Sequence, residues 1–85
     1  MERCVKVNHP EGLHARPASD LVEAALRFQS RIEVVFGDRT ANAKSILGLL
    51  KLGIKQGQSV ILRAEGPDAE SALAELSSIL ESPKT

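Results

Sequence analysis

Residues 31–43 read RIEVVFGDRTANA, and this stretch decides the fold. Ile32, Val34 and Phe36 alternate with Arg31, Glu33 and Val35, so one side of an extended segment is apolar and the other is mostly polar. Gly37 and Asp38 follow as a two-residue turn, and a second short strand is predicted over residues 39–43. A tight hairpin joins antiparallel neighbours, so the sheet must be at least partly antiparallel.

Downstream, Ser45 stands before the almost wholly apolar ILGLLKL and Gly53 follows it. Serine before and glycine after are the punctuation of a helix, which places Ser45 at an N-cap. KQGQ, residues 55–58, makes a loop. SVILRAE, residues 59–65, sets Val60, Leu62 and Ala64 on one face of another strand. Gly66, Pro67 and Asp68 break the pattern, with Asp68 the expected N-cap of a last helix. Its buried stripe is Ala69, Ala72, Leu73, Leu76, Ile79 and Leu80, and SPKT at the end is expected to fray. Upstream of the hairpin, Ala18, Leu21, Val22, Ala25 and Leu26 share helical spacing from Pro17 onward. Pro17 belongs in the first turn, where its missing N–H costs nothing. RCVKVN, residues 3–8, reads as an opening strand that ends in HPEG.

The order is therefore strand, helix, strand, strand, helix, strand, helix. Three helices and four short strands predict an α+β fold of two layers, an antiparallel sheet with the helices on one face. No linker, internal repeat or low-complexity segment divides residues 1–85, which are expected to form a single domain.

The bulk properties narrow the function. The chain has 85 residues, 42% of them hydrophobic and 26% charged, which is ordinary for a globular domain. Such a short chain buries only roughly 60–65% of the surface it exposes when unfolded, leaving little core for a deep cavity. Gly48 and Lys51 break the longest apolar run, so no membrane insertion is expected. Glu2, Arg3 and Lys6 interrupt any secretory leader at once, making a cytoplasmic location the expectation. Cys4 is the single cysteine, which excludes an intramolecular disulfide and a thiolate zinc site. It is expected to pack at least half-buried in the first strand. His9 and His14 lack the spacing of a helical ligand pair, so no metal is expected and no cofactor is indicated. His9 is placed in a surface loop without a role. Eleven basic and eleven acidic side chains cancel, which argues against direct nucleic-acid binding. The charges are segregated, however. From Arg39 to Arg63 all are basic and from Glu65 to Glu81 all are acidic, which predicts a positive face for an acidic protein partner.

GLHARPAS, residues 12–19, holds the candidate chemistry. His14 stands immediately before a helix N-terminus, whose unpaired N–H groups and partial positive charge suit a phosphate. Arg16 adds a guanidinium fork that grips phosphate oxygens. A neutral imidazole there can accept a phosphoryl group on nitrogen. Hydrolysis is less well served, because no serine, cysteine or carboxylate stands out as the other half of a dyad. Asp20 and Glu11 are close in sequence only. On the residues alone a loop histidine, a helix cap and a phosphoryl acceptor all stay open.

GLHARPAS, LVEAALRFQSRIEV, ANAKSILGLLKLGIKQGQSV and AEGPDAESALAEL together resemble the histidine-containing phosphocarrier (HPr) family of the bacterial phosphoenolpyruvate-dependent sugar phosphotransferase system. The resemblance covers nearly the whole chain. It implies an open-faced sandwich with strand order 1-4-2-3. It also implies that His14 takes a phosphoryl group on Nδ1 from phosphorylated enzyme I and passes it to enzyme IIA domains of sugar permeases. Arg16 would assist the phosphorylated site, and Pro17 would sit in the helix's first turn. Ser45 matches a regulatory serine, which brings in HPr kinase/phosphorylase and a catabolite-control transcription factor as partners. The segment is mixed: FGDRTANAKS carries Asn42 and Ala43 before the Lys-Ser pair, whereas SILGLLKLGI resembles the versions that are substrates of the serine kinase. Ile46, Leu47 and Leu50 resemble the family's docking patch, about half of the apolar run being exposed, with Lys44 and Lys51 as rim charges. A carrier of this kind is expected to be a monomer. The alternative within the family is the nitrogen-related paralogue, which regulates rather than transports. A catabolite-repression homologue is disfavoured because it lacks the histidine, and a detached dihydroxyacetone kinase domain ranks lower. A phosphoester hydrolase would turn over without a donor protein, and a purely binding module would work with His14 replaced.

Overall fold

Ile32 and Val34 are fully enclosed beneath the helices, and Phe36 packs against the same core. The computed structural model describes residues 1–82; residues 83–85, which hold most of the expected tail, lie outside it. The elements are β1 (Glu2–Lys6), α1 (Ala15–Leu26), β2 (Arg31–Phe36), β3 (Arg39–Asn42), α2 (Ile46–Leu50), β4 (Ser59–Glu65) and α3 (Ala69–Glu81). Phe36 pairs with Arg39 across the turn, where Gly37 takes φ +63 and Asp38 stays at negative φ. That is the pattern of a type II′ hairpin, whose twist matches that of the flanking strands.

The strands form one antiparallel sheet in the order β1-β4-β2-β3. Val5, Val60, Leu62, Ala64, Ile32, Val34 and Ala41 face the helical layer, where they meet Leu21, Leu49, Leu73, Leu76 and Leu80. Each such leucine stabilises the fold by about 1.5–3 kcal/mol through apolar surface removed from water. The opposite face is bare. Arg63 lies there between Glu2 at 3.0 Å and Glu33 at 3.4 Å, an exposed pairing of small energetic weight.

Four local expectations need correcting. Cys4 is exposed, because Val5 and Val7 hold the inward positions of the first strand and alternation turns Cys4 to the bare face. Leu26 is 62% exposed while Ala24 is buried. It lies five residues after Leu21, about 140° around the helix from the centre of the buried stripe. The first strand ends at Lys6 rather than residue 8, and the second helix ends at Leu50, with Leu52 buried just beyond it.

Asp68 occupies the N-cap position of α3 but makes no capping bond. Its carboxylate reaches instead to the chain leaving α1. It accepts the Gln29 and Ser30 amides, both at 2.9 Å, and the Ser30 hydroxyl. Ser30 is fully buried, and a Cβ on Gly66 would collide with it. The Ser30 hydroxyl, and next the Gln29 amide, hold the Asp68 carboxyl below its ordinary value of 3.8. A native pKa below the unfolded one means the folded state binds the proton less readily, so this contribution is complete above the unfolded value. The urea midpoint of Asp68→Asn should therefore lie below wild type at pH 7. The gap should close as the pH falls from 3.8 through the lower native pKa. A gap independent of pH would show that the carboxylate's charge does not contribute.

Candidate functional site

The turn before α1 is built around Gly12. It has φ +73, and a Cβ there would lie 2.2 Å from the Ile54 carbonyl oxygen and 2.7 Å from the Lys55 Cα. Only glycine admits both the left-handed conformation and the close approach. Leu13, buried, donates its amide to that same carbonyl at 3.0 Å, and His14 donates to the Gly12 carbonyl at 3.0 Å. The loop after α2 thus braces the residues that lead into His14.

His14 is the N-cap of α1, with extended backbone angles and no side-chain capping bond. Its carbonyl accepts the Ala18 amide at 3.0 Å, which opens the helical ladder. The imidazole is therefore free of the capping role. Its side chain is 40% exposed, and Nε2 lies 3.8 Å from Glu11 Oε1. That separation exceeds a hydrogen bond. Glu11 is thus the carboxylate nearest the imidazole, and its position depends on the Gly12 turn rather than on sequence spacing. Asp20 is exposed one turn into α1, away from any dyad geometry of its own.

Ala15 and Arg16 follow, and no described backbone or side-chain group accepts their amides. Pro17 comes third, buried and without an N–H. No acidic residue lies in the first turn of α1, so the positive end of the helix stays available to an anion. The Arg16 side chain is exposed and makes no ion pair among the described residues. His14, Arg16 and Pro17 line a groove between α1 and α3, together with Asp20, Arg27 and Glu75. Arg27 and Glu75 pair across it.

His9 lines the same groove, contrary to its expected place on the surface. It is 8% exposed, and its Nε2 lies 2.6 Å from the Ile79 carbonyl oxygen. A partner 70 residues away in sequence gives no local signal, so the sequence offered nothing by which to find it.

Ser45 caps α2, its hydroxyl accepting the Gly48 amide at 3.2 Å. Ile46 (41% exposed), Leu47 (61%) and Leu50 (38%) face outward, whereas Leu49 and Leu52 are buried. The apolar run divides about evenly between core and surface. Lys51 is exposed, and its carbonyl accepts from Arg39 at 3.3 Å. Lys44 differs from the expected free rim charge. It is half-buried and donates from Nζ to the Phe28 carbonyl at 2.9 Å, because α1 ends beside the start of α2 and leaves that oxygen open. Among the described residues no group of three or more His, Cys, Asp or Glu side chains could hold a metal ion. No helix among them is long and apolar enough to cross a membrane.

A half-buried, uncapped histidine thus stands at a helix N-terminus on an open-faced sandwich. A family model described as the PTS HPr component phosphorylation site matches residues 1–82, and the chain belongs to this family, the phosphocarriers of the phosphotransferase system. It is 48% identical over 71 residues to the phosphocarrier protein HPr of Lysinibacillus sphaericus, covering 84% of this chain and 81% of that one. It is 43% identical over 76 residues to the multiphosphoryl transfer protein of Xanthomonas campestris pv. campestris, where it spans 89% of this chain but only 9% of the relative. The crystal structure of a phosphocarrier protein HPr from Bacillus anthracis superposes with a TM-score of 0.92 at 38% identity, covering 95% of this chain and 96% of that one.

Gly12→Ala should displace the loop that presents His14, because neither the Ile54 carbonyl nor the Lys55 backbone can retreat cheaply. A loss of about 2 kcal/mol or more in urea unfolding is expected, with altered amide shifts at Leu13 and His14. An unchanged midpoint would show that the close approach is not a constraint.

Proposed function

We propose that His14 accepts a phosphoryl group on Nδ1 from phosphorylated enzyme I and passes it to enzyme IIA domains of sugar permeases. The observation that carries this reading is the uncapped imidazole beside the open Ala15 and Arg16 amides. Nε2 lies 3.8 Å from Glu11 Oε1, and the resemblance to the phosphocarrier family points to Nδ1 as the attacking nitrogen. Its lone pair forms the new N–P bond as the donor's bond to phosphorus breaks, and the donor departs with that bonding pair. The helix N-terminus and the Arg16 guanidinium then offset the dianion. Nothing here gives turnover without a donor protein, so the chain works as a carrier between partners.

Both partners must use the surface around His14 in succession, and each must leave. Ile46, Leu47 and Leu50 form the apolar part of that docking surface. Lys51, with Arg16, steers acidic partners toward it, and Lys44 holds the adjoining ends of α1 and α2 together. Incubation with phosphoenolpyruvate and enzyme I should add about 80 Da to the intact chain, one acid-labile phosphoryl group absent from His14→Ala. No gain in the presence of active enzyme I would overturn the assignment.

Ser45 is the second site in this reading, phosphorylated by HPr kinase/phosphorylase and then read by a catabolite-control transcription factor. Its hydroxyl already accepts the Gly48 amide of α2, so a phosphate there meets the same donor without unfolding the helix. The added charge lies beside Ile46 and Leu47, in the path of a docking partner. Ser45→Asp should slow phosphoryl acceptance from enzyme I while circular dichroism and melting temperature stay near wild type. An unchanged acceptance rate would remove the regulatory role.

A further inference from the structure

The C-terminal end of α3 is closed by another part of the chain. An α-helix leaves its last four carbonyls without intrahelical partners, here those of Ser78, Ile79, Leu80 and Glu81. The Ser82 amide takes the first at 3.0 Å. The other three are taken by two consecutive residues that precede the phosphoacceptor loop. His9 Nε2 meets Ile79 at 2.6 Å, the Asn8 amide donates to Leu80 at 3.0 Å, and Asn8 Nδ2 donates to Glu81 at 3.1 Å. A carbonyl only accepts, so Nε2 of His9 carries the proton. The α3 sequence supplies no basic residue in its last turn, and Asn8 and His9 provide the capping that its own residues lack.

This cap connects directly to His14. The His9 carbonyl accepts the Gly12 amide at 2.9 Å, the Gly12 carbonyl accepts the His14 amide at 3.0 Å, and the Leu13 amide is held by Ile54. Five residues therefore join a buried anchor on α3 to the reacting imidazole, with backbone hydrogen bonds closing most of the span. His9 and Ile79 line the groove that His14 opens into. We propose that Asn8 and His9 form a clamp on the last carbonyls of α3, and that His9 is a positioning residue for phosphoryl transfer at His14. His9 never touches the phosphoryl group. It fixes the direction from which the loop enters the N-terminus of α1, and so where Nδ1 stands relative to the open amides.

The inference rests on His14 being the phosphoacceptor, and the experiment separates the two ideas. Wild type, His9→Ala and His9→Gln are compared in the rate of phosphoryl acceptance from phosphorylated enzyme I and in amide hydrogen exchange at Gly12, Leu13 and His14. Glutamine keeps an N–H donor at similar reach, whereas alanine keeps none. His9→Ala should accept about tenfold more slowly and exchange faster at those three amides, and His9→Gln should recover both to within about twofold of wild type. Should His9→Ala fail to fold, His9→Leu fills the buried volume without a donor and carries the same comparison. Wild-type acceptance in the donor-free variant, or Gln as slow as Ala, would reduce His9 to a packing residue and overturn the proposal. If the wild type itself takes no phosphoryl group, the phosphoacceptor reading falls. The exchange data then decide the clamp alone: unchanged protection overturns it, and lost protection restored by Gln upholds it.

Discussion

Neither end of α3 is closed by the helix's own side chains, and the molecule is organised around that fact. Asp68 stands at the N-cap position yet sends its carboxylate to Gln29 and Ser30, at the exit of α1. At the other end, Ile79, Leu80 and Glu81 give their carbonyls to Asn8 and His9. Unpaired polar groups that are shut away from water cost free energy comparable to a lost hydrogen bond. Each loop that meets an end of α3 is therefore held there by backbone satisfaction as well as by apolar packing. The bond at one end links α3 to the chain leaving α1, and the clamp at the other links it to the chain entering α1. The helix that carries His14 at its start is thereby fixed at both ends against α3.

The loop after α2 completes the frame. Ile54 presents its carbonyl to Leu13, and Gly12 allows the two backbones to close to a separation that no Cβ would permit. Lys44 bridges α2's approach to the end of α1 through the Phe28 carbonyl. α2 and α3 are thus tied to both ends of α1 by hydrogen bonds to main-chain groups, most of them between residues far apart in sequence. This separates two demands that conflict in a small domain. Rigidity comes from backbone groups inside the frame, while the imidazole, the Arg16 guanidinium and the Ile46, Leu47 and Leu50 side chains remain outside and uncommitted.

Local chemistry made most of this legible in the sequence. Alternation over residues 31–36 and 59–65 marked two strands within their observed bounds, and Ser45 and Gly53 bracketed α2 because capping depends on near neighbours. GLHARPAS exposed the candidate site for the same reason, since the glycine turn, the histidine and Pro17 lie within six consecutive residues. What stayed hidden depends on tertiary juxtaposition. His9 looked like a loop residue because its partner is 70 positions away. Asp68 looked like a local cap because the competing amides of Gln29 and Ser30 arrive only when α1 packs beside α3. Leu26 matched the spacing of the apolar stripe, yet the stripe is centred on Leu21, and a helix has only one buried side here.

The same contrast explains why the histidines fared differently. His14 is recognisable because its setting at the start of α1 is written in its immediate neighbours. His9 is of the same residue type five positions earlier, and its burial follows from the end of a helix at the far end of the chain. A buried histidine whose donor nitrogen is engaged is restricted in tautomer and rotation. His14, half-buried and free of a capping bond, has neither ring nitrogen hydrogen-bonded to a described group. The fold thus uses one imidazole as a fixed point and leaves the other free beside an open helix terminus. The short, hydrogen-bonded loop between them transmits the geometry of the first to the second.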